Sequence, residues 1–257
     1  MERTELPLVS VITPVYNAAR WLPATLASVR AQTLTDWEHI LVDDGSTDRS
    51  LDILETAARE DARFRVLRME RNSGPAVARN FALNAAQGRF IAILDADDLW
   101  APEKLFRCVE FMTARNYGFV YHDSWEISES GERIGRLITG PEELNMRTLH
   151  VRRGIRTCAV TIDLNQIPDF YFPDNHHEDF CAWLNLIQLG YIGHRLPGGL
   201  CSYRVSGHSR NSSKLRSALQ SWDIYRHVSG LSLARAANWW THYVLISLWT
   251  RRLWGAN

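Results

Sequence analysis

The chain has 257 residues, with 29 Lys plus Arg balanced by 29 Asp plus Glu, so its formal net charge is zero. That balance excludes a polycation that binds nucleic acid nonspecifically and an acidic disordered tail. At 46% hydrophobic and 23% charged residues the composition is that of an ordinary globular protein, long enough for one large domain or one and a half.

Along the first hundred residues two kinds of segment alternate. Val9–Thr13, His39–Val42, Phe64–Leu67 and Phe90–Leu94 are short β-branched or apolar runs that predict strands buried on both faces. Between them the spacing predicts helices. Trp21, Leu22, Leu26 and Val29 share one face, as do Leu51, Leu54 and Ala58, and an alanine-rich helix opens after Gly74-Pro75. Strand and helix in alternation imply right-handed crossovers and a parallel, doubly wound sheet, whose ligands lie beyond the carboxyl ends of the strands. Further on, the pattern predicts a helix over Glu103–Arg115, a strand over Phe119–Ile127, a turn at Ser130-Gly131-Glu132 and a strand over Cys158–Leu164. A helix follows over Glu178–Leu189, and the chain is helical again from Leu215.

The predicted strand ends are polar in a way that maintenance of a fold does not require. They read Thr13-Pro14-Val15-Tyr16-Asn17, Asp43-Asp44-Gly45-Ser46-Thr47-Asp48, Arg71-Asn72-Ser73-Gly74-Pro75 and Asp95-Ala96-Asp97-Asp98. The second reads equally well as a turn with a helix cap. In the fourth, three carboxylates at the end of an apolar strand repel one another, and a hard divalent cation with oxygen ligands, shared with phosphate oxygens, relieves them. No GxGxxG follows the first strand and no GxxxxGK[ST] occurs, so neither a dinucleotide fold nor a P-loop is supported.

Taken in order, Val9-Ser10-Val11-Ile12-Thr13-Pro14-Val15-Tyr16-Asn17, Val42-Asp43-Asp44-Gly45-Ser46-Thr47-Asp48, Asn72-Ser73-Gly74-Pro75-Ala76-Val77-Ala78-Arg79-Asn80 and Leu94-Asp95-Ala96-Asp97-Asp98 resemble the family 2 glycosyltransferases. The likeness continues more loosely with Glu178-Asp179, Tyr203-Arg204 and Ser212-Ser213-Lys214. It implies an α/β GT-A fold, with a mostly parallel central sheet flanked by helices. The activity implied is transfer of a sugar from a nucleotide-diphosphate sugar, a UDP-sugar by expectation, with inversion at the anomeric carbon. The acceptor implied is a glycan or a polyprenyl- or lipid-linked glycan of bacterial surface polysaccharide or lipopolysaccharide. A catalytic domain over 1–210 is expected, with its nucleotide-binding half over about 1–100 and its acceptor-side half over about 101–210. A helical extension takes 211–257.

Carried over residue by residue, the resemblance places Pro14, Tyr16, Asn17, Asp43 and Asp44 at the nucleobase, one of the two carboxylates accepting from a ring N–H. Arg79 lies beside the nucleotide, as do Asp95 and Ala96. Asp97 is the main ligand of Mg²⁺ or Mn²⁺, with His208 a candidate ligand or diphosphate donor. Asp179 is the base, and Glu178, Arg204 and Lys214 lie on the acceptor and diphosphate side. Taken alone, Glu178 and Asp179 are also what the first turn of a helix favours, being acidic at the positive end of its dipole. Two competitors stand beside this reading: a catalytically silent sugar-nucleotide-binding subunit, and a metal-dependent phosphotransferase, which would want a nucleophilic Asp where the first loop has Pro14-Val15-Tyr16-Asn17.

The four cysteines form no CxxC pair and the first seven residues form no signal-like run, so a cytoplasmic protein is expected. The ten tryptophans cluster towards the end, where Trp239, Trp249 and Leu253 fall near one side of a helix. Such a helix suits packing on the domain, a dimer contact, or peripheral docking on the inner face of the cell membrane.

Overall fold

The structure, a computed structural model, describes residues 6–151, 155–175, 177–205, 222–229 and 232–252. The predicted alternation is present: β1 (Val9–Val15), α1 (Leu22–Arg30), β2 (Trp37–Asp43), α2 (Ser50–Glu60), β3 (Phe64–Arg68), α3 (Pro75–Ala85) and β4 (Phe90–Ile93). β3, β2, β1 and β4 lie side by side in that order, all parallel. The chain moves outward from β1 to β3 and then returns to the other side of β1. The sheet therefore reverses its winding at β1, the place where open α/β sheets leave a crevice at their carboxyl edge.

Beyond β4 come β5 (Leu99–Trp100), α4 (Lys104–Arg115), β6 (Phe119–Ile127), β7 (Arg133–Ile138), β8 (Glu143–Leu144) and α5 (Met146–Val151). A 3-10 turn at Thr157–Ala159 leads into β9 (Val160–Asp163), followed by α6 (Glu178–Gln188) and β10 (Gly193–Arg204). Here the sheet becomes mixed: β9 is inserted antiparallel between β4 and β6, while β10 runs parallel to β6. β10 carries bulges on either side of Gly199, within Pro197-Gly198-Gly199 and before Cys201.

Strand alternation divides the core between the two sheet faces. Val9, Val11, Leu41 and Phe90 pack with Leu22, Leu26, Trp37 and Leu54 on one side. Ile12, Ile40, Val42, Ile91 and Ile93 pack with Ala78, Ala82 and the apolar face of α6 on the other. Trp183 of α6 stacks on Phe119 at 5.3 Å between ring centroids, fixing α6 over the sheet. A π-helical turn at Ile224–Val228 precedes the last helix, α7 (Leu233–Arg252). The N-terminal part of α7 docks on the second core through the fully buried Ala236, and Trp222 meets Trp240 edge-on at 6.1 Å. Among the described residues no helix is long and apolar enough to cross a membrane.

Candidate active site

The loops after β1, β2 and β4 and the N-terminus of α3 meet at the carboxyl edge of the sheet. Asn17 adopts a left-handed backbone (φ 50°). Its Oδ1 accepts hydrogen bonds from the Thr47 backbone N–H at 2.8 Å and the Asp48 N–H at 3.3 Å, so it fastens the β1 loop to the β2 loop. Beside it Tyr16 stands 48% exposed, its ring open to a planar ligand.

The two acids that end β2 have different duties. Asp44 grips the neighbouring loop: Oδ1 accepts from Ser73 N–H and Oδ2 from Gly74 N–H, each at 2.8 Å. Those contacts aim the start of α3, and Gly74 supplies the required positive φ of 92°. Gly45 (φ 72°) permits the approach, since a Cβ there would lie 2.9 Å from Asn72 N. Asp43 is fully buried, and its Oδ1 accepts from Ser46 N–H at 3.2 Å. Oδ2 accepts no hydrogen bond and has only Arg68, at 4.0 Å, as a distant counter-charge. A buried carboxylate oxygen without a donor is complementary to an incoming N–H. Of the two carboxylates expected at the base, Asp43 is therefore the one with an oxygen to offer.

Arg79, on α3, is almost wholly buried. Its Nη2 donates to Asp95 Oδ1 at 2.6 Å, its Nη1 to Glu178 Oε1 at 3.3 Å, and its guanidinium faces the Phe172 ring at 5.2 Å. Burial alone would lower its pKa, but Asp95 and Glu178 outweigh that and raise it. Burial raises the carboxyl of Glu178, against the pull of Arg79. This ion triad joins α3 and the end of β4 to the first turn of α6, and Arg79 and Glu178 are 99 residues apart in sequence.

Of the remaining acids after β4, Asp98 is fully buried, its Oδ1 accepting from Arg204 backbone N–H at 2.8 Å. Burial, with Asp97 and Asp95 adding, pushes it well above the usual carboxylate range. Asp97 is raised to about 6, by burial first and then by the charge of Asp95. Asp95 is paired with Arg79, whereas Asp97 makes no ion pair among the described residues. Its carboxylate and that of Asp95 are hard oxygen donors that fit a divalent cation, although no cluster of three ligating side chains occurs among the described residues.

On the opposite wall, Asp179 is part-buried at the start of α6. Its Oδ1 accepts from Phe180 N–H at 2.6 Å, and Thr157 Oγ1 donates to Oδ2 at 3.4 Å. Thr157 belongs to the 3-10 turn before β9, a contact that no motif foretold. Tyr203, on β10, has its phenol raised to about 12, by burial first; Asp98, Asp95 and Asp97 add to the shift and Arg156 opposes it.

Arg204 differs from its expected place as a diphosphate counter-charge. Its Nε donates to the Asp97 carbonyl at 2.8 Å, and its Nη1 donates to the carbonyls of Ser128 at 2.9 Å and Glu129 at 3.0 Å. A guanidinium 5% exposed and engaged with three carbonyls holds the acidic loop against the β6–β7 hairpin instead of facing a ligand. His208 and Lys214 lie outside the described residues.

An open α/β sheet with acids gathered at its switch point, a buried carboxylate oxygen that accepts no hydrogen bond among the described residues and a further carboxylate across the crevice is the arrangement of a GT-A nucleotide-sugar transferase. The model of glycosyl transferase family 2 matches residues 10–163, and the chain belongs to that family of glycosyltransferases. The chain is 37% identical over 231 residues to TuaG of Bacillus subtilis, whose name assigns it to teichuronic acid biosynthesis, covering 90% of this chain and 92% of that one. It is 36% identical over 219 residues to the UDP-Glc:alpha-D-GlcNAc-diphosphoundecaprenol beta-1,3-glucosyltransferase WfgD of Escherichia coli, covering 84% and 85%. Among solved structures it is similar in fold to S. aureus TarS 1-349 in complex with UDP-GlcNAc, with a TM-score of 0.69, 22% identity, and coverage of 92% of this chain and 71% of that one.

Proposed function

We propose that this glycosyltransferase transfers a sugar from a UDP-sugar to a glycan or lipid-linked glycan acceptor in bacterial surface-polysaccharide assembly, inverting the anomeric carbon. The observation that carries the reading is the placement of Asp179: it lies in the first turn of α6 beside Glu178, which Arg79 ties to Asp95 at the end of β4, so the wall that carries the candidate base is fastened to the donor side of the crevice. The names of TuaG and WfgD support the acceptor class, and the UDP-GlcNAc complex of TarS supports the donor class.

Each residue then has a task. Asp43 Oδ2 accepts a uracil N–H, while Tyr16 and Pro14 flank the ring. Asn17 and Asp44 shape the pocket from behind. Asp95 and Ala96 border the ribose. Asp97, with Asp95, would hold Mg²⁺ or Mn²⁺, and such an ion would supply Lewis-acid stabilisation of the charge on the departing diphosphate. Asp179 takes the proton of the acceptor hydroxyl as its oxygen bonds to the anomeric carbon and the bond to the phosphate oxygen breaks, so one displacement inverts the centre. Arg204 acts as a positioning residue for Asp97. Working on lipid-linked acceptors, the enzyme would serve peripherally at the inner face of the membrane.

Release of UDP from UDP-glucose and UDP-GlcNAc, measured with and without Mn²⁺ and with an acceptor panel, tests the reading. Asp179→Asn is expected to lower transfer about 100-fold or more while UDP affinity stays within about twofold. Donor binding without turnover in the wild type would instead mark a silent nucleotide-sugar-binding subunit.

A further inference from the structure

The guanidiniums near the crevice are mostly engaged. Arg79 is held by Asp95 and Glu178, Arg204 by three carbonyls, and Arg20 by Glu129 at 3.0 Å. Arg156 is engaged by one carboxylate and one aromatic ring. It lies in extended backbone (φ −83°, ψ 137°) immediately before the 3-10 turn. Its Nη2 donates to Glu126 Oε1 at 2.9 Å, and its guanidinium sits 3.9 Å from the centroid of the Tyr203 ring. Its Nε is buried with no acceptor, although the side chain as a whole keeps 28% of its surface open to solvent. The fork is therefore backed by an aromatic ring, about a quarter open to solvent and tied by one carboxylate contact. Such a fork suits a phosphate, which can take two parallel N–H groups.

Its location puts it next to the wall that carries the candidate base. The next residue, Thr157, donates to Asp179 Oδ2 at 3.4 Å, so the guanidinium adjoins in sequence the residue that contacts the candidate base at the start of α6. The donor-side acids Asp43 and Asp44 lie across the sheet, at the end of β2. We propose that Arg156 is an anion subsite for the acceptor, binding a phosphate of a diphosphate-linked glycan while Asp179 addresses the hydroxyl that is glycosylated. This deepens the functional reading above and rests on Asp179 being the base. Glu126 is the counter-ion that the phosphate displaces.

Two probes separate the sources of the anion: an alkyl α-GlcNAc diphosphate and the neutral alkyl α-GlcNAc, each titrated into the full chain saturated with UDP and Mn²⁺. The wild type is expected to bind the diphosphate at least about tenfold more tightly than the neutral glycoside. Arg156→Gln is expected to abolish that preference while UDP affinity stays within about twofold. Glu126→Gln, which removes the competing carboxylate, is expected to bind the diphosphate as well as the wild type or better, with Arg156→Lys intermediate. A wild type without the preference, an equal loss for both glycosides in Arg156→Gln, or weaker diphosphate binding in Glu126→Gln would overturn the proposal. So would a loss of UDP affinity in Arg156→Gln, since the anion would then be the donor's own diphosphate. Asp179→Asn distinguishes the underlying reading: full transfer by that variant defeats the base assignment while leaving the binding preference as measured.

Discussion

Asp43 and Asp44 are neighbours of one residue type, and sequence could not divide the work between them. Geometry does, through the count of donors each already has. Asp44 accepts two backbone N–H groups, so Asp44→Ala removes both acceptors from a loop that solvent partly reaches and is expected to destabilise the fold by about 1–3 kcal/mol, read as a lower melting temperature of the ligand-free protein. Asp43→Asn should do the reverse: the buried Oδ2 has no donor to lose, so the fold persists while UDP affinity falls about tenfold or more in a calorimetric titration. Asp97 carries a pH signature. Its folded pKa, about 6, lies above the ordinary carboxylate value of 3.8, so between those limits the folded state binds more protons than the unfolded one and stability falls as pH rises. A melting series of the metal-free protein from pH 4 to 7 should show that decline in the wild type, flattened in Asp97→Asn. Mn²⁺ affinity should rise through the same window, because a ligand carboxylate must first lose its proton.

At the scale of elements, the parallel half was legible because its strands are continuous apolar runs punctuated by turn and cap residues. β9 was found as a strand, but its direction was not: Val160-Thr161-Ile162-Asp163 is buried throughout, and a run buried on both faces carries no mark of parallel or antiparallel pairing. β10 was missed for a different reason. Pro197-Gly198-Gly199 has the composition of a turn, yet it is a bulge inside a twelve-residue strand, and Gly199 is there because Trp125 and Leu137 of the neighbouring strands fill the space where a side chain would stand. A Cβ at Gly199 would lie 2.2 Å from Trp125 Nε1 and 2.6 Å from Leu137 Cδ1, and Trp125 is itself covered by Arg133 at 3.9 Å from its ring. Gly199→Ala is thus an overpacking change, expected to cost about 1–3 kcal/mol and to lower the melting temperature by about 2–10 °C. Gly190→Ala, with nothing within 4 Å of the added Cβ, supplies the contrast: its φ of 94° brings backbone strain without a clash.

For the molecule as a whole, zero net charge excluded nonspecific polyanion binding but averaged over an acidic rim and the arginines that brace it. The rim was legible as a cluster of Asp. The bracing was not, because Arg79–Glu178 and Arg204–Asp97 are contacts between residues about a hundred positions apart, which no local pattern encodes. The tryptophan-rich C-terminal helix shows the same limit: its sequence suits a membrane surface, a partner or the body of the protein. In the structure its first turns pack on the second core, with Ala236 fully buried among neighbours that include Ile224 and Tyr225. That packing makes Ala236→Arg a discriminating change. A guanidinium placed at a fully buried alanine lacks both room and a counter-charge, so the melting temperature should drop by about 5 °C or more, with loss of the helix from its seat seen as faster amide exchange around Ile224 and Tyr225. Were the helix held only by a bilayer, the variant would melt with the wild type in solution and differ solely in sedimentation with anionic vesicles. A shifted melting curve without vesicles places the start of the helix in the fold itself, and leaves its exposed face, where Leu245 stands 58% open, as the surface on which vesicle binding is then to be measured.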